Sequence, residues 1–89
     1  MSYKVSIKRL AEKEMDCLPP IIHKRISNKI LSLSINPRPK GHTKLTTSEG
    51  YRIRIGSYRV LYTIDDRAKH VLIYSVGHRK EIYRRRQWE

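Results

Sequence analysis

Apolar and polar residues alternate at the start of the chain. Val5 and Ile7 fall on one side of an extended segment and Lys4 and Ser6 on the other, the period of a half-buried strand. From about Lys8 the period lengthens: Leu10, Ala11, Met15 and Leu18 share one helix face, with Lys8, Arg9, Glu12, Lys13 and Asp16 largely on the other. Pro19-Pro20 breaks this helix and suits the first turn of a second, whose stripe runs Ile22, Ile26, Ile30, Leu33 and which Asn36-Pro37-Arg38-Pro39 ends. Helices joined at such a corner form an antiparallel hairpin with both stripes on one shared surface.

A polar, basic loop follows, Pro39-Lys40-Gly41-His42-Thr43-Lys44, with Leu45 as its anchor. Tyr51 to Ile55 then alternates strictly, Gly56-Ser57 makes a hairpin turn with glycine where positive φ is needed, and Tyr58 to Ile64 returns. Asp65 to Lys69 turns again. Val71 to Val76 is a nearly continuous apolar run, as for a strand buried on both faces at the sheet's centre, and Gly77 closes it. His78 to Glu89 hold too little apolar surface for a core helix and read as one or two helical turns and a loose tail. The predicted fold is α+β, in the order β-α-α-β-β-β: a mostly antiparallel four-stranded sheet, a helical hairpin on one face and a short C-terminal helix. It forms a single domain over residues 1–89.

The Gly56-Ser57 turn fixes the register, so Ile55 faces Tyr58, Arg54 faces Arg59, Ile53 faces Val60 and Arg52 faces Leu61. Arg52, Arg54 and Arg59 therefore share a face. Tyr51, Ile53, Ile55, Tyr58, Val60 and Tyr62 take the other, which the helices should cover, leaving the arginines to look outward. Directly opposed like charges destabilise a sheet, by tenths of a kcal/mol up to about 1. A bound phosphate backbone reverses that sign, because clustered guanidiniums make bidentate phosphate contacts.

Charge turns this local feature into a global one. Twenty Lys and Arg against eight Asp and Glu give a formal net charge of +12 in 89 residues, which points to a polyanionic partner. The 38% apolar content, with six tyrosines, is too high for a disordered basic tail. The single Cys17 excludes an intramolecular disulfide framework and a cysteine zinc site, and fits a reducing cytoplasm. The opening segment has neither a signal peptide's apolar stretch nor a membrane span's, so a cytoplasmic location and no membrane partner are expected.

The second chemical segment is Gly77-His78-Arg79-Lys80-Glu81-Ile82-Tyr83-Arg84-Arg85-Arg86, at the end of the last strand and beside the arginine-bearing pair. His78 supplies an imidazole, a side-chain type suited to proton transfer, as arginine is not. Tyr83 offers a phenol for proton transfer, or simply covers the sheet edge. Arg84-Arg85-Arg86 reads as a phosphate-contacting or solvated run. His23, His42 and His70 read as solvent-exposed, and no pair of histidines has metal-ligand spacing. Asp65 and Asp66 read as turn formers. Gly-rich phosphate loops and Ser/His/Asp signatures are absent, and no cofactor or metal is implied.

The blocks Tyr51-Arg52-Ile53-Arg54-Ile55-Gly56-Ser57-Tyr58-Arg59-Val60-Leu61-Tyr62 and Val76-Gly77-His78-Arg79-Lys80-Glu81-Ile82-Tyr83, with the opening strand and the helical hairpin ending in Asn-Pro-Arg, resemble the RelE branch of the RelE/ParE toxin superfamily over the whole chain. The resemblance implies the toxin of a type II toxin–antitoxin pair, an endoribonuclease that cuts mRNA in the ribosomal A site without metal. The RNA 2′-hydroxyl would attack the adjacent phosphate, leaving a cyclic phosphate and a 5′-hydroxyl. Carried over by position, Arg59 and Arg79 would grip the scissile phosphate, Arg52 and Arg54 take the place of the family's basic pair, and Tyr83 that of a functional tyrosine. Lys44, Arg84 and Arg85 would add RNA contacts. Well-studied members have lysines where this chain has Arg52 and Arg54, and arginine is a poor proton carrier, so Tyr83 or His78 is left as general base or acid. The implied partners are a RelB-like antitoxin, the ribosome with its mRNA, and operator DNA reached only through the antitoxin complex. Two other functions stay open: a ParE-like gyrase inhibitor, and a non-catalytic nucleic-acid-binding module.

Overall fold

A computed structural model of the chain describes residues 2–45 and 50–78. Seven elements follow in order: β1 (Lys4–Ile7), α1 (Arg9–Asp16), α2 (Pro20–Ser32), β2 (Thr43–Lys44), β3 (Tyr51–Ile55), β4 (Tyr58–Asp65) and β5 (His70–His78). The strands form one mixed sheet in the order β1-β5-β4-β3-β2, with β1 parallel to β5 and every other pairing antiparallel. The sheet has five strands where the sequence pattern gave four. The addition is β2, whose two residues pair with Tyr51 and Arg52 and are closed off by the Leu45 N–H bonding to the Gly50 carbonyl at 3.0 Å. So short a strand carries no periodicity. The C-terminal helix expected from the sequence lies outside the described residues.

Both helices pack on one face of the sheet. Ala11 and Met15 of α1, and Ile26 and Ile30 of α2 with Leu33 just beyond it, join Ile53, Ile55, Val60, Tyr62, Val71, Ile73 and Val76 in one core. Pro20 sits in the first turn of α2, where its missing N–H costs no helical hydrogen bond. Leu10, assigned to the buried stripe, is substantially exposed. The helix α2 ends at Ser32, short of the Asn-Pro segment. Its last turn tightens as the N–H groups of Leu33, Ser34 and Ile35 bond three residues back, while the Ser32 and Ser34 hydroxyls also bond to carbonyls three residues earlier.

The hairpin register is the one the turn dictates: Ile55 opposite Tyr58, Arg54 opposite Arg59, Ile53 opposite Val60 and Arg52 opposite Leu61. Gly56 has φ of 62°, as the tight turn requires. Strand β5 continues through Gly77 to His78 instead of stopping at the glycine. It lies between β1 and β4, so the middle of the sheet is β4, and Leu72 and Tyr74 of β5 keep part of their surface. A bulge interrupts the β4–β5 pairing after Leu61, where Ser75 opposes Leu61, Ile73 opposes Tyr62, and Tyr74 is the extra residue. Gly50 has φ of 154°, and a Cβ there would stand 2.9 Å from the Tyr74 hydroxyl and 3.3 Å from the Tyr62 carbonyl oxygen, so glycine is favoured at 50. Beyond the end of β1 the exposed edge of β5 is closed by Glu14 of α1, whose Oε1 accepts the Val76 N–H at 3.0 Å and the Ser75 hydroxyl at 3.2 Å.

Candidate nucleic-acid interface

The hairpin places Arg52, Arg54 and Arg59 on the sheet face turned away from the helices, with Arg54 and Arg59 directly opposed. Their exposures differ sharply. Arg54 is exposed and Arg52 half-buried, but Arg59 is only 4% exposed. The expectation that all three look outward is therefore corrected at Arg59. Strand alternation assigns a side chain to a face but does not say what covers that face. Leu61 is buried on the same side, and Leu45 is buried outside the main core. Leu61 was the available signal, since an apolar residue in line with three arginines is out of place on a purely solvated face. Directly across from Arg59 stands Gly77, which contributes no side chain over the guanidinium.

The register separates two other candidates from this face. Lys44 pairs with Tyr51 and so takes Tyr51's side of the sheet, beside Arg38 and Asp66 in a cavity of about 220 Å³. His78 pairs with Tyr58, their rings edge to face with centroids 5.5 Å apart. Both line a cleft of about 350 Å³ with Glu14, Cys17, Leu18 and Pro19, on the helix side of the sheet. Arg59 and His78 are thus on neighbouring strands but opposite faces. Arg79, Tyr83, Arg84 and Arg85 lie outside the described residues.

The other histidines are less exposed than their sequence context implied. His42 Nδ1 bonds to the Pro39 carbonyl at 2.8 Å, His70 Nε2 lies 2.8 Å from the Ser6 hydroxyl between β5 and β1, and His23 sits 3.4 Å from the Ser27 hydroxyl one turn on. Each has a neighbouring polar atom that local sequence pattern does not reveal.

A polar cluster at the opposite end of the sheet from the hairpin turn was not legible in the sequence. Arg38 donates to both oxygens of Asp66, at 3.2 and 2.9 Å, and its guanidinium lies over the Tyr51 ring, 5.2 Å from the centroid. Asp66 Oδ1 also accepts the Tyr3 hydroxyl at 2.7 Å, so a residue read as a turn former ties three segments together. Those bonds, first the one from Arg38 and then the one from Tyr3, hold the Asp66 carboxyl down to about 2. The Tyr3 phenol is correspondingly raised, chiefly by its bond to Asp66. Tyr62 donates its hydroxyl to the Pro37 carbonyl at 2.8 Å, and burial raises its phenol well above the ordinary tyrosine range.

A small α+β unit of this architecture is shared with a class of known proteins, the toxins of type II toxin–antitoxin systems. The sequence profile of the ParE toxin of type II toxin–antitoxin systems, parDE, matches residues 5–83. Toxin RelG of Mycobacterium tuberculosis is 36% identical over 96% of this chain and 100% of its own length. The toxin–antitoxin complex RelBE2 of Mycobacterium tuberculosis superposes with a TM-score of 0.80 at 30% identity, over 88% of this chain and 99% of that one. The archaeal RelE–RelB complex of Pyrococcus horikoshii gives 0.79 at 29%, over 89% and 97%. The chain belongs to the RelE/ParE toxin superfamily, on its RelE branch, and is the toxin of a type II toxin–antitoxin pair.

Proposed function

We propose that this toxin stops translation by cutting mRNA in the ribosomal A site, as a metal-independent endoribonuclease. The observation that carries this reading is the direct opposition of Arg54 and Arg59, with Arg52 on the same face and Arg59 buried. That arrangement costs free energy in the apo protein and gains it against a phosphodiester. In the reaction the 2′-oxygen attacks the adjacent phosphorus and the 5′-oxygen leaves, giving a 2′,3′-cyclic phosphate and a 5′-hydroxyl. One proton leaves the nucleophile and one reaches the leaving oxygen. The five-coordinate phosphorus carries extra negative charge, and a guanidinium held in a water-poor site stabilises it more than one in bulk water does. Arg59 has that role, with Arg79 as its partner, while Arg52 and Arg54 orient the backbone.

Arginine does not relay protons at neutral pH. Since His78 takes the opposite face from Arg59, Tyr83 is the proton carrier of this reading and His78 lies outside the reacting group. A RelB-like antitoxin neutralises the toxin, as in the RelBE2 and RelE–RelB complexes of its relatives, and the pair binds its own operator.

The test is primer extension on programmed ribosomes, with the same RNA free in solution as control. Cuts confined to the ribosome are expected, lowered about 100-fold or more in Arg59→Ala, the range for removing one transition-state donor. Tyr83→Phe should lose at least about tenfold and His78→Ala less. Equal loss in both variants would overturn the assignment of Tyr83. Cutting of free RNA would make the protein an independent ribonuclease. No cutting, with replication arrested in cells, would replace the reading with gyrase inhibition.

A further inference from the structure

The extra residue of the β4–β5 pairing is an aromatic one. Val71, Ile73 and Val76 of β5 enter the core beneath the helices, and Tyr74 is not among that core's residues. A bulge re-aims a side chain, and Gly50 marks where this one goes. The place a Cβ would take on Gly50 lies 2.9 Å from the Tyr74 hydroxyl and 3.3 Å from both Leu45 Cδ1 and the Tyr62 carbonyl oxygen. Leu45 follows Lys44 by one residue, so alternation turns it to the arginine side, and it is buried outside the main core. Tyr74 therefore starts on β5, crosses β4 and ends beside the residue that precedes β3. With strands about 4.8 Å apart, that path lays the phenol along the sheet instead of letting it stand up from it. The side chain is half-buried, as befits a ring with one face on the sheet and the other turned outward.

Its neighbours are the arginines. Arg52, Leu61 and Ser75 form one cross-strand row beside Tyr74, and Arg54, Arg59 and Gly77 form the next row on the same face. Such rows are about 7 Å apart, close to the reach from phosphate to base within one nucleotide. We propose that the Tyr74 ring is a platform on which one base of a single-stranded RNA stacks, while Arg52, Arg54 and Arg59 hold phosphates of the same strand. The proposal rests on the reading of the arginine face as an RNA site and adds the residue that seats a base. Phosphate contacts alone hold a strand without fixing where along it the protein sits, and a stacked base supplies that second point of attachment. Bases in a duplex are already stacked on one another, so the platform selects unpaired RNA. It tolerates any sequence, because every base has a π-face. The hydroxyl end of the ring abuts Gly50, where a larger residue would push it out of place.

The probe is a short single-stranded RNA with every 2′-hydroxyl methylated, which keeps phosphates and bases but carries no nucleophile. Binding to the full chain at low salt is followed by fluorescence anisotropy. Removing one base at a time should reveal a position at which an abasic nucleotide weakens binding about tenfold or more. Tyr74→Leu should weaken the intact strand by the same factor and show no further loss with that abasic strand, whereas Tyr74→Phe should behave as the parent with both. Losses that multiply overturn the proposal, because ring and base then do not meet. Tyr74→Phe as weak as Tyr74→Leu overturns it too, since the hydroxyl and not the ring would be acting. So does a parent that has no abasic-sensitive position, or that does not bind the strand. A readout on the parent covers a Tyr74→Leu variant that fails to fold: 5-iodouridine at the sensitive position should crosslink to Tyr74 under near-ultraviolet light, and crosslinks only to other residues overturn the proposal. None of these measurements uses cleavage. A strand that stacks on Tyr74 while mRNA stays intact on ribosomes removes the nuclease reading alone, and ribosome-dependent cuts without coupling between base and ring remove this one alone.

Discussion

Replacing Tyr62 by phenylalanine should destabilise the toxin by about 2 kcal/mol, through one hydroxyl. Tyr62 has no exposed surface, and its hydroxyl donates to the carbonyl of Pro37, itself buried, at 2.8 Å across 25 residues of chain. The ring also stacks on Tyr51, with centroids 5.8 Å apart, and Tyr51 in turn meets Arg38. Phenylalanine keeps the ring and its packing, so the loss is confined to the hydrogen bond. A net bond of this kind contributes roughly 0.5–1.5 kcal/mol, and a buried acceptor left unsatisfied costs roughly 1–3 kcal/mol. The middle of that range, about 2 kcal/mol, corresponds to a fall in Tm of about 10 °C for a domain of this size. Urea unfolding followed by circular dichroism is the assay, with the midpoint falling and the slope unchanged, since the surface exposed on unfolding barely differs. A loss below about 0.5 kcal/mol would refute the reasoning, because it would mean that the Pro37 carbonyl finds another donor. The pH dependence has a definite sign. Burial raises the Tyr62 phenol above its unfolded value, so the contribution of the neutral hydroxyl is fully present below about pH 10 and is lost as the pH rises through the higher folded value.

Two further predictions concern the charged groups. Asp66, held at about 2 by Arg38 and Tyr3, contributes stability that is present above its unfolded pKa of about 3.9 and is lost as the pH falls toward 2. Acid titration of thermal stability should show the wild type and Asp66→Asn converging near pH 2 and separating above pH 4, with the gap narrowed by salt because the pair is solvent-exposed. A gap that persists at pH 2 would mean that the carboxylate's charge is not what matters. Arg54→Ala should raise stability by about 0.2–1 kcal/mol, by removing the like charge opposite Arg59, while lowering the salt slope of RNA binding by about 0.7, the share of one phosphate contact on a single strand. Differential scanning calorimetry and a salt series of filter-binding curves check the two halves.

The sequence held the hairpin almost completely, because Gly56 leaves one register and strict alternation on both sides leaves one pairing of faces. It also held the two helix stripes, since Pro19-Pro20 marks the corner and Ile22, Ile26 and Ile30 repeat at helical spacing. What it did not hold depends on contacts between distant segments. The burial of Arg59, the pairing of Thr43–Lys44 with β3, the closure of the β5 edge by Glu14 and the Tyr3–Asp66–Arg38 cluster join residues up to 63 positions apart. Nearness along or across strands likewise does not say which face a side chain takes: strand parity sends His78 and Lys44 to the side opposite the arginines.

The arginine face is less favourable in the isolated chain than a simple alternative, because Arg54 opposite Arg59 raises the energy of the hairpin. That opposition does not improve folding, and it would be relieved by a polyanionic ligand that binds only the native state. Such a ligand adds RT ln(1 + [L]/Kd) to stability, about 2.7 kcal/mol at a hundredfold excess over Kd. A toxin built this way gains stability from its ligand, and the net charge of +12 favours the encounter through long-range attraction.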